Sequence, residues 1–122
     1  MDTQKHPTLG NGKICYIGIP SNDVAKSAEF YKNVFGWHIG TNREGEVSFD
    51  DSVREVSGIW QTGRQPSTEN GFVITIMVDS ISTTLKLVIL NGGQKLQSGN
   101  KTPAHIAKIF DPSGNMIILF EH

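Results

Sequence analysis

Few side chains in this 122-residue chain are both chemically reactive and placed where they could act as a catalytic acid or base. Of the four histidines, His6 lies in a polar N-terminal stretch and His122 is the last residue. His38 follows a helical stretch, where a surface or core role is expected. His105 opens an apolar segment typical of a strand, and it is therefore the candidate general acid or base.

Nucleophilic and phosphate-binding chemistry has little support in the sequence. The single cysteine, Cys15, lies in an apolar stretch, which predicts a small buried side chain, and it has no partner for an internal disulfide. No phosphate-cradling glycine loop and no Ser, His and Asp arrangement is visible.

The elements that position these residues repeat at an offset of about 57 residues. An apolar strand at 14–20 and an amphipathic helix at 23–35 recur as a strand at 72–78 and a helix at 80–91. A repeat this short indicates one supersecondary unit that is used twice.

Three further strands are predicted after each helix, so each half reads strand, helix, strand, strand, strand. We therefore predict an α+β fold of two βαβββ modules, residues 13–61 and 71–122, in a single domain. The segment 62–70 contains glycine and proline and no large apolar residue, which is typical of a linker. Residues 1–12 are predicted to form a mobile tail.

Composition limits the partners of this protein. The net charge is −1, with 11 basic and 12 acidic residues mixed along the chain, so no basic face for nucleic acid is expected. No apolar run approaches the ~20 residues that span a bilayer, and the N-terminal residues are polar, which predicts a cytoplasmic protein with no membrane partner. Open sheet edges are commonly covered by a second copy, which favours a homodimer.

Two short motifs add a resemblance to these patterns. Residues 30–37 read FYKNVFGW, and residues 110–121 read FDPSGNMIILFE, with an Asp-Pro-x-Gly-Asn turn before the last strand. Together with the doubled module, they resemble the vicinal oxygen chelate superfamily, which includes glyoxalase I, bleomycin and fosfomycin resistance proteins and extradiol dioxygenases. The resemblance implies a cup-shaped mixed sheet that holds one divalent metal in the enzymes, bound by the first and last strands of each module.

The positions of the family's metal ligands are largely filled by residues that cannot bind a metal. Counting from Asp23 and from Asp111 places three of them at Tyr16, Val73 and Ile118. The fourth falls within 53–61, where only Glu55 and Gln61 offer a metal-binding oxygen. The usual metal site is therefore predicted to be absent, and no cofactor is expected.

The first functional hypothesis is a metal-free member of the superfamily that binds a small, partly apolar molecule in its cup. The cup is predicted to be lined by Tyr16, Trp60, Val73, Thr75 and Ile118. Strand alternation supports this assignment for the first strand of each module, because the intervening residues are apolar and suit a face covered by a helix.

The second hypothesis is a metal-dependent enzyme of glyoxalase or dioxygenase type, a lyase or an oxidoreductase, with a divergent site. Its divalent metal would be held by a set such as Tyr16, Glu55 and His105. The sequence does not identify the ligand, the reaction, or whether the cup closes within one chain or across a dimer.

Overall fold

The computed structural model describes residues 5–68, 70–96 and 104–122, and these residues form two modules with the same order of elements. Each module contains one strand, one helix and three further strands. The first module comprises β1 (Tyr16–Pro20), α1 (Val24–Phe35), β2 (His38–Thr41), β3 (Val47–Asp50) and β4 (Ser57–Gln61). The second comprises β5 (Ile74–Val78), α2 (Ile81–Leu90), β6 (Gln94–Lys95), β7 (Ile106–Phe110) and β8 (Met116–Glu121).

The strands form two four-stranded mixed sheets of identical topology. Their orders are β1-β4-β3-β2 and β5-β8-β7-β6. In each sheet the first and last strands of the module are parallel, and the other pairs are antiparallel. The prediction of an α+β fold with two βαβββ modules is thus confirmed.

Each helix begins after a residue whose side chain caps its first turn. The Asp23 carboxylate accepts a hydrogen bond from the backbone N–H of Lys26, and Ser80 accepts one from Thr83 in the same way. Helix α1 ends at Gly36, whose φ of 72° is favourable for glycine. Neither helix in the described part of the chain is long and apolar enough to cross a membrane.

Aromatic side chains fill the space between α1 and the first sheet. Trp37 stacks on both Tyr31 and Phe49, with ring centroids 4.6 Å apart in each pair. Trp60 lies 4.8 Å from Phe49 and 5.8 Å from Tyr31. The FYKNVFGW motif therefore contributes to the core of the first module.

The turn between β7 and β8 joins the second module to the first. Buried Asp111 accepts hydrogen bonds from the Tyr31 hydroxyl on α1, at 2.8 Å, and from the side-chain amide of Asn115, also at 2.8 Å. The Asn115 amide also donates to the carbonyl oxygen of Pro20, at 2.7 Å. The Asp-Pro-x-Gly-Asn motif is thus a connection between the modules.

We expect the free energy of unfolding to fall at alkaline pH because Tyr31 is buried. Burial, followed by the neighbouring Asp111 carboxylate, raises the pKa of Tyr31 well above its usual value. The folded protein therefore holds this proton more tightly than the unfolded chain does. The contribution of Tyr31 to the free energy of unfolding is therefore complete below about pH 10 and is lost as the pH rises further.

We expect Tyr31→Phe to show a smaller loss of unfolding free energy between about pH 9 and pH 11 than the wild type. Urea unfolding at both pH values measures this difference. The exposed Tyr16 provides the control, because Tyr16→Phe also removes a tyrosine hydroxyl but leaves the contact between Tyr31 and Asp111 in place. Equal alkaline losses in all three proteins would contradict the prediction.

Candidate functional site

The two faces of each sheet differ in burial as strand alternation predicted. In β1, Ile17 and Ile19 pack in the core against the helix, whereas Tyr16 is 54% exposed on the opposite face. In β5, Ile74 and Ile76 pack toward the core, and Thr75 is exposed. We call the face of each sheet opposite its helix the open face.

The open face of the second sheet brings two of the predicted site residues together. Thr75 and Ile118 are direct partners across the parallel strands β5 and β8, and Val73 lies just before β5. Lys108 of β7 is the partner of Ile118 on its other side. This face therefore combines apolar side chains with a hydroxyl and an ammonium group.

Two side chains differ in burial or in the face they occupy from what the sequence predicts. Trp60 was expected to line the cup, but it packs in the core between Tyr31 and Phe49 and is only 4% exposed. Its indole N–H is buried without a hydrogen-bond partner in the described residues. Cys15 was expected to be buried, but it is exposed because it precedes β1.

The register of β4 identifies the fourth position of the family's metal site. Gly18 is paired with Ile59 in the first sheet, as Thr75 is paired with Ile118 in the second. The counterpart of Ile118 is therefore Ile59, an aliphatic residue. The four positions hold Tyr16, Ile59, Val73 and Ile118, and this set does not fit a divalent metal, because three of its members have no donor atom.

Glu55, part of the alternative metal set, is engaged by the N-terminal segment. It lies in the turn before β4, where its carboxylate accepts hydrogen bonds from the backbone N–H of Thr8, at 3.0 Å, and from the Thr8 hydroxyl, at 3.1 Å. The ring of His6 lies 2.6 Å away. These contacts, that of His6 first, lower the pKa of Glu55 to about 2. They also anchor part of the segment predicted to be a mobile tail, whose residues 1–4 lie outside the described residues.

His105, the candidate acid or base, lies just before β7 in the second module. Its ring packs edge-on against Phe120, with centroids 5.7 Å apart, and its side chain is exposed. Across residues 5–68, 70–96 and 104–122, no group of three or more His, Cys, Asp or Glu side chains could hold a metal. The structure therefore gives His105 an aromatic neighbour and no catalytic partner in the described residues.

A cavity of about 440 Å³ lies between the two modules, and we call it the junction cavity. It is bounded by β1, by β5, by the start of β8 and by the segment that connects the modules. Apolar side chains dominate its walls, and Arg64 is the charged residue among the described residues that line it. The lining residues are Ile17, Gly18, Ile19, Pro20, Arg64, Pro66, Ser67, Thr68, Gly71, Phe72, Ile74, Asn115, Met116 and Ile117.

The junction cavity is lined by the sequence neighbours of the predicted site residues. Among the lining residues, Ile17 follows Tyr16 in the chain and Ile117 precedes Ile118. Ile74 lies between Val73 and Thr75. The cavity therefore borders the strands that carry the predicted site residues, and it is also lined by Gly18, which lies on the same face of β1 as Tyr16.

The connecting segment, residues 62–70, is predicted from the sequence to be a linker, but Arg64, Pro66, Ser67 and Thr68 of this segment line the cavity. Two hydrogen bonds, one to a side chain and one between backbone groups, hold it against the second module. The N–H of Ser67 donates to the Asn115 side chain, and the N–H of Met116 donates to the carbonyl of Ser67, both at 2.8 Å. The isolated cation Arg64 beside Pro66 was the available signal, because the segment otherwise lacks basic residues.

Comparison with known proteins agrees with this architecture. Residues 13–48 match the family model described as bleomycin resistance protein-like N-terminal. A glyoxylase-like domain-containing protein from Didymella fabae is 26% identical over 105 residues, which cover 79% of this chain and 80% of that protein.

Solved structures share the fold at low sequence identity. A glyoxalase/bleomycin resistance protein/dioxygenase superfamily member from Sphaerobacter thermophilus superimposes with a TM-score of 0.70 at 18% identity, over 91% of this chain and 98% of that one. The fosfomycin resistance protein FosX from Listeria monocytogenes gives a TM-score of 0.68 at 13% identity, over 91% of both chains. The predicted resemblance is confirmed, and the chain has the fold of the vicinal oxygen chelate superfamily.

Proposed function

We propose that this protein binds a small, partly apolar molecule without using the metal site of its superfamily. The observation that carries the proposal is the junction cavity, whose volume of about 440 Å³ lies within the range of small-molecule sites. Its walls are mainly aliphatic, with a few polar groups that can orient a ligand. Sequestration, transport or sensing of such a molecule needs no reactive group.

The side chains at the family's metal positions support the metal-free part of the proposal. Ile59, Val73 and Ile118 have no lone pairs to offer, and the carboxylate of Glu55 already accepts hydrogen bonds from Thr8. No observation favours the metal-dependent enzyme. The homodimer and the cytoplasmic location stay predictions.

A thermal-shift screen of small molecules tests the proposal and locates the site. A compound present at about 100 times its dissociation constant adds roughly 2.7 kcal/mol to the stability of the folded protein. Two variants serve as matched controls: Ser67→Trp fills the junction cavity, whereas Val73→Trp fills the open face of the second sheet. We expect hits to stabilise the wild type and Val73→Trp, and to lose their effect on Ser67→Trp.

The reverse pattern would move the site to the open face, as the sequence predicted. Hits that stabilise all three proteins equally would contradict the proposal, because the ligand would then bind elsewhere. Elemental analysis of protein purified without added metal tests the metal-free part. About one Fe, Mn, Ni or Zn per chain, lost in Glu55→Ala or His105→Ala, would favour the enzyme instead.

A further inference from the structure

We propose that the ligand of the junction cavity is an organic carboxylate with an apolar body, and that its carboxylate is bound by the guanidinium of Arg64. This inference rests on the proposed small-molecule binding and names the chemical class of the ligand. It follows from the charge of the cavity, from the position of the guanidinium and from the composition of the walls.

The charge of the cavity is positive and uncompensated within the described residues. Nη1 of Arg64 donates to the side-chain oxygen of Gln61 at 2.6 Å, a neutral acceptor. No described carboxylate lies within ion-pair distance of Arg64. A guanidinium has five N–H donors, and two of them can bind both oxygens of one carboxylate. An anion is therefore the ligand that best completes this group.

The guanidinium is positioned over β1 by a glycine. A Cβ atom at Gly18 would lie 2.6 Å from Oε1 of Gln61 and 3.3 Å from Nη1 of Arg64. The missing side chain thus leaves room for the Gln61 and Arg64 pair against the strand. Because Gly18 and Arg64 both line the junction cavity, the cation is at the cavity wall.

The backbone of Gly18 offers a second donor at the same place. The carbonyl of Cys15 and the N–H of Ser21 bond to Ser57 and Gln61 of β4. The backbone groups of alternate residues in a strand point in opposite directions, so the N–H of Gly18 points away from β4, toward the free edge of β1. A carboxylate at Arg64 can accept from this N–H as well.

The rest of the cavity suits an apolar body. Ile17 and Ile19 come from the first module, and Ile74, Met116 and Ile117 come from the second. These side chains provide no hydrogen-bonding group, so the part of a ligand that contacts them is expected to be apolar, and the polar lining residues Ser67, Thr68 and Asn115 come from the connecting segment and the β7–β8 turn. An aromatic or branched-chain acid meets both requirements, whereas a polyanion or a sugar does not.

The test compares two probes of the same shape, 2-naphthoate and its neutral amide 2-naphthamide, by isothermal titration calorimetry. We expect 2-naphthoate to bind the wild type, and 2-naphthamide to bind about tenfold to a hundredfold more weakly. Arg64→Gln should weaken 2-naphthoate by a similar factor. The exposed Arg43, in the turn between β2 and β3, is the control, because Arg43→Gln removes the same charge without touching the cavity.

Isoleucine methyl spectra locate the bound probe. Shifts are expected for Ile17, Ile74 and Ile117, and not for Ile118 on the open face. A second variant, Gly18→Ala, should displace Gln61 and Arg64 while keeping the fold, because the new methyl meets the flexible end of Gln61. Its affinity for 2-naphthoate should fall toward that of Arg64→Gln.

Equal affinities for the two probes, equal effects of Arg64→Gln and Arg43→Gln, or shifts confined to Ile118 would each overturn the proposal. Failure of 2-naphthoate to bind the wild type would overturn it too. If neutral compounds then stabilise the wild type but not Ser67→Trp in the thermal-shift screen, the proposed function stands and only the acidic ligand class fails.

Discussion

Replacing Asp111 by alanine is expected to lower the free energy of unfolding by about 3–5 kcal/mol, because it removes the acceptor shared by several buried donors. The Asp111 carboxylate binds the Tyr31 hydroxyl, the Asn115 side chain, and the backbone N–H groups of Ser113 and Asn115. In Asp111→Ala these groups would be left in a site that excludes water. Chemical denaturation at neutral pH measures the loss.

Asp51 provides a matched control in the corresponding turn of the first module. Its carboxylate accepts from the backbone N–H of Glu55, at 2.7 Å, and from that of Val56, at 3.3 Å, but it makes no hydrogen bond to the other module in the described residues. Asp51→Ala should therefore cost only about 1 kcal/mol. Similar losses in the two variants would show that Asp111 acts only within its own turn.

Replacing Gly58 by alanine is the second change with a large expected effect. A Cβ atom at this position in β4 would overlap the carbonyl oxygen of Ile17 and the ring of Phe49. Neither can move freely, since Ile17 belongs to the neighbouring strand and Phe49 is stacked on Trp37. We expect a loss of at least about 3 kcal/mol in the free energy of unfolding, or a failure to fold.

Gly40 is the control for Gly58, because it also lies in a strand of the first sheet. The nearest atom to a Cβ there is the hydroxyl oxygen of Ser48, at 3.9 Å, an ordinary contact. Gly40→Ala should change the free energy of unfolding by no more than about 0.5 kcal/mol. Thermal and denaturant unfolding of both variants checks the prediction, and a stable Gly58→Ala protein would contradict it.

The doubled module could be predicted from sequence because its signals are local. Strand alternation in β1 and β5, the capping residues Asp23 and Ser80, and the stop at Gly36 each depend on a few neighbouring residues. In the structure, Tyr16 and Thr75 are exposed on the open face of their sheets. Local patterns of this kind can be recognised in a single sequence without a structure.

The register of β4 could not be predicted, because its pattern does not distinguish the two faces. Ile59 and Trp60 are adjacent and both apolar, so alternation alone does not show which of them faces the core. The space left by Gly58 is filled by Phe49, and this contact fixes Trp60 on the helix side. Residues 53–56 are predicted to belong to a strand at 53–61, but they lie in the turn before β4, which places Glu55 outside the sheet.

The junction cavity was beyond sequence analysis for a related reason. Part of its wall is the connecting segment, which hydrogen bonds of Ser67 with Asn115 and Met116 hold against the start of β8. Contacts between residues so far apart in the chain leave no periodic signal. Arg64 therefore lines the cavity because of the packing of the modules, and no motif in the sequence indicates it.

The hydrogen bonds of the Asp-Pro-x-Gly-Asn turn also constrain how the protein is made. Tyr31 and Asp111 are 80 residues apart, and Pro20 and Asn115 are 95 apart. While the chain is still on the ribosome, the first module emerges long before the residues that complete its hydrogen bonds. Its tyrosine hydroxyl and its proline carbonyl have to stay hydrated until then. The two modules have the same order of strands and helix. We nevertheless expect them to reach their final packing together, after synthesis of the last strand.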